Sequence, residues 1–315
     1  MRKYWDPGAG AKAPETILLG THPSADGRAI EAAQSIGAQL THVGRMWNYA
    51  GGVRHPQPDW PDHGVSLVPP KSALWVDATG KRLMPPIISG FDTHEMVRRV
   101  ALAPHGYTWQ ILNRRIALKE LAASGAAWNP AVRERRFLKF VLDTITGNKW
   151  IVEALSKSPD FAVAPTVDEL VDKMNAMNNP VRVDARVLEG EVKAFDGTLS
   201  DPSPADPQRK QIEALRAYRG DALRLAKNVA LLDPKAGPLI AIREHIVTRK
   251  SLGGIVTDMQ SRALDANGEP IAGLYAVGES AGFGGGGSHG WRGLEGTFLL
   301  SSIITARRAA ESIAR

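Results

Sequence analysis

The residues most able to do chemistry crowd into GLYAVGESAGFGGGGSHGWRGLEGTF, residues 273–298, where glycines surround Glu279, His289 and Arg292. An apolar run enters this stretch, and a long apolar helical pattern, TFLLSSIITARRAAESIA, leaves it. A strand, a glycine-rich turn and a helix bring unpaired backbone amides and the positive end of a helix dipole up to an anionic or electron-rich ligand. A flexible linker is the competing reading of any glycine-rich segment, but it leaves the elements on both sides unexplained. Arg292 adds a planar fork of donors that can stabilise a carboxylate, enolate or carbonyl oxygen, unless Glu295 takes it as an ion-pair partner.

Other candidates are less directed. Trp47 and Tyr49 in MWNYAGG, read as an aromatic loop, and Tyr107 and Trp109 in HGYTWQ either line an apolar substrate site or pack a core. His55, Asp62 and His63 are metal-ligating types, but they follow no fixed ligand spacing, so no metal is expected. The chain has no cysteine, which excludes disulfides, thiolate metal sites, iron–sulfur clusters and thiol nucleophiles.

The elements that must position these residues follow from periodicity. Residues 14–40 read as a short strand, the polar turn HPSADG and a helix with Ile30, Ala33, Ile36 and Leu40 on one face. Residues 53–70, rich in Pro, His and Asp, read as an irregular loop, and the ATGK turn in SALWVDATGKRLMP as a hairpin. Helical patterns run from Asp92 to about Trp150. Thr166 and Glu169 have capping-box spacing before a helix over about Val167–Met177. A further helix runs through VDARVLEGEVKAFDG, the turn-rich DGTLSDPSPADP connects onward, and DANGEP separates two strands before the glycines.

With 315 residues, 43% of them hydrophobic, the chain can bury a large core in one large or two ordinary domains. Its formal charge of +6 is dispersed, and NRRIALK and RERRFLK read as solvated helix faces rather than a nucleic-acid surface. No signal-peptide core and no apolar run of about eighteen residues appear, so a cytoplasmic protein without a membrane partner is expected.

The sequence resembles the FAD-dependent superfamily of fumarate reductase flavoproteins and 3-ketosteroid dehydrogenases. GLYAVGE with the following glycines, His289, Gly290, Arg292 and a closing helix is similar to its C-terminal flavin motif. SADGRAIEAAQSIGAQL, ALWVDATGKRLMP, TVDELVDKMN, LEGEVKAFDG and SLGGIVTD resemble further family segments in the family's order, so the likeness covers nearly the whole chain.

That resemblance implies an α/β fold, a partial Rossmann-like FAD-binding domain (1–75 and 237–315) interrupted by an α+β substrate-cap domain (76–236). It implies FAD as cofactor and hydride transfer between flavin N5 and a substrate carbon–carbon bond, in a steroid-like or enone molecule that is apolar with a carbonyl or carboxylate. Glu279 and Asp26 would hold cofactor hydroxyls, Lys250 beside Gly254 the isoalloxazine edge, and Thr297 and Phe298 the reduced flavin's charge. Asp26 is otherwise a turn residue and helix cap, and Thr297 a plain helix residue. Arg292 matches a substrate-clamp arginine, and Arg249 stands where the family has a clamp histidine.

The resemblance has gaps. Trp47 replaces another clamp histidine, SGFDT replaces the proton-donor segment, and GPLIAI at 237–242 offers no tyrosine. The family's GxGxxG is not found, since PGAGAKAP follows no strand and lacks the third glycine. A separate N-terminal flavin-binding half, a fragment, a non-catalytic subunit of a split enzyme or a homo-oligomer are the corresponding expectations.

Overall fold

The computed structural model describes residues 2–5, 12–68, 70–86, 93–200, 205–282 and 297–314. In chain order the strands are β1 (Ile17–Leu19), β2 (Leu40–Thr41), β3 (Met46–Arg54), β4 (Gly64–Val68), β5 (Leu74–Val76), β6 (Tyr107–Asn113), β7 (Ala122–Ala123), β8 (Phe161–Ala164), β9 (Leu239–Ser251), β10 (Gly254–Ile255), β11 (Arg262–Leu264) and β12 (Pro270–Tyr275). The helices are α1 (Arg28–Ser35), α2 (Thr93–Leu102), α3 (Arg114–Glu120), α4 (Pro130–Arg133), α5 (Phe137–Thr146), α6 (Lys149–Leu155), α7 (Val167–Asn175), α8 (Ala185–Gly197), α9 (Pro207–Arg216), α10 (Arg219–Arg224) and α11 (Thr297–Ile313).

β9 organises the molecule. Its residues Leu239–Thr248 are buried and Arg249–Ser251 are half-buried, as expected of a β-branched, apolar run covered on both faces. Its first half lies between β6 and β8, both antiparallel, from Leu239 to His245. Its second half pairs with β3 antiparallel and β1 parallel, Ile17 facing Ile246 and Met46 facing Ser251. The sheet runs β5-β6-β9-β3-β4-β7, with β1 and β8 also on β9. The fold is thus mixed α/β, as expected, around a mainly antiparallel sheet.

The main core packs Trp109, Ile111, Leu74, Ile240 and Ile242 of the sheet against Ile116, Leu155, Leu170, Leu188 and Phe195 of α3, α6, α7 and α8. Trp75, which alternates away from Leu74 and Val76, joins Met96, Val97 and Val100 of α2 in a second cluster. A third unites Ala33 of α1 with Ile255, Ala263 and Ala276 around β10, β11 and β12.

Several expected elements are present. Thr166 caps α7 by accepting from the Glu169 amide at 3.3 Å, α8 and α11 fall where the periodicity puts them, and the ATGK turn closes on a Val76–Arg82 bridge. Others differ. The expected loop over 53–70 contains β4, which pairs Val65 with Val53 of β3. The aromatic loop MWNYAGG is β3, and YTWQILN, inside the expected helical block, is β6 with all seven residues buried. α1 stops at Ser35, leaving Ile36 exposed and Leu40 in a strand, because Gly37 turns the chain at φ 101.

A polar network sits in the buried half of β9. Asp160 accepts from the Arg54 amide at 2.7 Å, Arg54 Nη1 at 2.8 Å and Arg243 Nε at 2.9 Å, tying β3 and the turn before β8 to β9. Burial pushes the Asp160 carboxyl up, but His245 and Arg54 outweigh it and hold it well below the usual range. Its neighbour Glu244 is fully buried and meets no donor among the described residues, and burial pushes its carboxyl well up. Among the described residues no helix is long and apolar enough to cross a membrane.

Candidate functional site

The half-buried end of β9 and the strand beside it build the site. Trp47 pairs with Lys250 and then Tyr49 with Val247, so β9 carries one extra residue between the two pairs. Such a bulge re-aims successive side chains. The Arg249 guanidinium lies 5.8 Å from the Tyr49 ring centre and Lys250 Nζ 5.6 Å from Trp47, while the two rings, two residues apart on β3, stand 6.1 Å from each other. Phe298, in the first turn of α11, closes the group: its ring lies 4.7 Å from Trp47, and Lys250 Nζ stands 3.3 Å from its centre. Cation–π attraction and apolar contact hold the five side chains together.

The Trp47 indole is buried, yet its Nε1 meets no acceptor among the described residues. Phe298 brings the N-terminal end of the described part of α11 to the same region.

The glycine pair after Ser251 is required by close approach. A Cβ on Gly253 would stand 2.1 Å from the His42 carbonyl, and one on Gly254 would stand 2.4 Å from the Ser280 oxygen. The first would force the loop away from the end of β2, and the second away from the turn that carries Glu279. Ser251 donates its amide to Glu279 Oε1 at 2.8 Å. Gly278 at φ 58 donates to Thr305 Oγ1 of α11 at 3.0 Å, so the turn is held between the β9–β10 loop and the closing helix. Glu279 is exposed, and its second oxygen meets no donor among the described residues.

The structure therefore brings together Arg249, Lys250, Gly254, Glu279 and Phe298. Asp26 is engaged locally: in the turn before α1 it accepts from the Arg28 amide at 3.0 Å and pairs with the Arg28 side chain. The Arg28 amide holds its carboxyl below the usual range. Arg292 and residues 283–296 lie outside the described residues, as does the side chain of Thr297. Tyr107 is core: buried on β6 near His245, with its phenol pushed up to about 12 by burial. His55 and His63 stack face to face at 4.2 Å, and Trp60 stacks on His63 at 3.9 Å. Sequence reasoning missed Ser251 and Thr305, which orient Glu279 and its turn. The signal was present in the small polar Ser302 and Thr305, one turn apart in LLSSIIT.

Comparison with known proteins adds to this geometry. Over 317 residues the chain is 43% identical to a KsdD-like steroid dehydrogenase of Mycobacterium tuberculosis, covering 100% of this chain and 56% of that protein. It is 41% identical over 301 residues to one from Mycolicibacterium smegmatis, covering 95% of this chain and 55% of that one. The chain spans about half the length of these relatives. In fold it is similar to a 3-ketosteroid Δ1-dehydrogenase of Sterolibacterium denitrificans, solved with 1,4-androstadiene-3,17-dione (TM-score 0.62, 17% identity, 99% of this chain and 51% of that one). It is also similar to a flavocytochrome c3 fumarate reductase in an open conformation (TM-score 0.59, 16% identity, 95% and 42%). Residues 8–299 match the family described as an FAD binding domain, so the chain belongs to that family and its cofactor is FAD.

Proposed function

We propose that the chain serves an FAD-dependent oxidoreductase that introduces or removes a carbon–carbon double bond beside a ketone in a steroid-like substrate. The observation that carries this reading is the Trp47–Lys250–Phe298 group at the start of α11, in a chain 43% identical to a KsdD-like steroid dehydrogenase. FAD, when bound, supplies the hydride acceptor or donor at N5.

This chain's residues fit that group. Lys250 and the first amides of α11 stabilise negative charge on an electron-rich ring edge. Trp47 offers its unpartnered Nε1–H, and Glu279, oriented by Ser251, accepts from hydroxyls. Gly254 keeps the loop close, and Asp26 holds the cofactor from the α1 side in this reading. Arg249 and Arg292 orient and polarise the substrate oxygen, while Trp47 and Tyr49 exclude water from an apolar ring system. Residues 1–75 and 237–315 would then form part of a Rossmann-like flavin-binding domain, and 76–236 the cap over the substrate.

The test is the absorbance spectrum of the chain after incubation with FAD, followed by reduction of a dye acceptor with a 3-ketosteroid. Bound flavin bands that weaken about tenfold or more in Glu279→Ala, a charged hydrogen bond contributing roughly 1.5–3 kcal/mol, are expected. Undiminished flavin binding in that variant removes Glu279 from the site. Flavin without 3-ketosteroid turnover overturns the substrate assignment.

A further inference from the structure

α5 is mounted with its faces reversed. Its sequence, FLKFVLDTIT, carries six large apolar residues that at 100° per residue span an arc of about 200°. In a globular protein that arc turns inward. Here Phe137 is 72% exposed, Leu138 84%, Leu142 58% and Ile145 63%, with Phe140 and Val141 also exposed, while Asp143 and Thr144 are the shielded positions.

Polar groups hold the helix in this pose. Lys119 of α3 donates to the Thr144 carbonyl at 3.0 Å, and the Asn148 amide donates to the Leu118 carbonyl at 2.9 Å. The Lys139–Asp143 ion pair spans the opposite side from the apolar arc. Val132 of α4 at 55% and Leu223 of α10 at 53% extend the exposed apolar surface onto two of the helices that α5 contacts. Scattered exposed apolar residues are ordinary, whereas a contiguous patch this size marks a contact surface.

Charge identifies the occupant. Between residues 130 and 150 lie Arg133, Arg135, Arg136, Lys139 and Lys149 against Glu134 and Asp143, a surplus of three cations. A second copy docked by a two-fold axis would set the same surplus against itself. An anionic lipid surface complements it, and an apolar helix face rimmed by arginine and lysine is the form that lies in the plane of a bilayer. We propose that α5 and its neighbours seat the protein on an anionic membrane surface, with Phe137, Leu138, Val141, Leu142 and Ile145 in the acyl boundary and the arginines among the headgroups. The proposal does not depend on the flavin reading.

The experiment is co-sedimentation of the full chain with vesicles of phosphatidylcholine and phosphatidylglycerol in equal parts, and with phosphatidylcholine alone. The chain is expected to pellet with the mixed vesicles, less so with phosphatidylcholine alone and less so as salt rises. Leu138→Asp with Leu142→Asp should lower partitioning about tenfold or more while far-ultraviolet circular dichroism is unchanged, since both side chains are exposed. Arg135→Glu with Lys149→Glu should keep the apolar face but lose the preference for anionic vesicles. Failure to pellet with mixed vesicles overturns the proposal, as does unchanged partitioning in the leucine variant. A dimer in sedimentation velocity that the leucine variant dissolves, without vesicle binding, gives the face to a second copy instead.

Discussion

The two ends of β9 are built on opposite principles. From Leu239 to Thr248 the strand is buried, and its charged residues are either paired with a neighbouring segment, as Arg243 is with Asp160, or isolated, as Glu244 is. From Arg249 to Ser251 it emerges, and its cations lie over aromatic rings. The Asp160 network has its partners supplied by the fold, so it contributes to rigidity. The emerging end leaves an indole N–H and a carboxylate oxygen without partners among the described residues.

The sharpest way to break this comparison is Asp160→Ala. It leaves Arg243 buried without its counter-charge, and a loss of about 3–5 kcal/mol in denaturant-induced unfolding is expected. A loss no larger than that of a surface substitution would mean that the buried end does not depend on its network. Gly254→Ala comes next: the new Cβ collides with the Ser280 oxygen, and overpacking of this kind costs about 1–3 kcal/mol. Flavin binding should fall with it, measured by absorbance titration.

Glu244→Gln tests the isolated carboxyl through pH. The folded state retains a proton that the unfolded chain releases above about pH 4, so this residue's contribution to stability is present at low pH and declines as pH rises toward its raised folded value. Glutamine has no such proton. The melting temperature of the unmodified chain should therefore fall relative to that of the variant between pH 5 and pH 8, and parallel curves would show that Glu244 finds a partner. At the emerging end, Lys250→Met should shift unfolding by less than about 0.5 kcal/mol while weakening FAD binding. A large stability loss would make Lys250 part of the core's support instead.

How far the sequence discloses this arrangement depends on the range of the signals. Local ones are legible: the Thr166 cap, the ATGK turn, the DANGEP hairpin and the closing helix each specify themselves within a few residues. β6 and β3 are hidden because TWQIL and WNYAGGV acquire strand character only by lying against β9, more than one hundred residues away. The site residues Lys250, Gly254, Glu279 and Phe298 come from resemblance, while the Trp47 ring beneath Lys250 depends on a bulge that no local pattern announces. α5 shows the reverse problem. Its periodicity is plain, but periodicity does not say which face turns outward, so RERRFLK read as an ordinary solvated face.

The shared strand has a consequence for how the protein comes apart. Because β6 and β8 hold one stretch of β9 while β1 and β3 hold the next, with Gly52 and Tyr107 both registered on His245, neither side can lose its ladder without loosening the other. The molecule should open as one cooperative unit, with amide exchange along Leu239–Thr248 proceeding only through global unfolding. Damage deep in the helical side would then appear first as lost occupancy at a site some distance away, with every residue of that site unchanged.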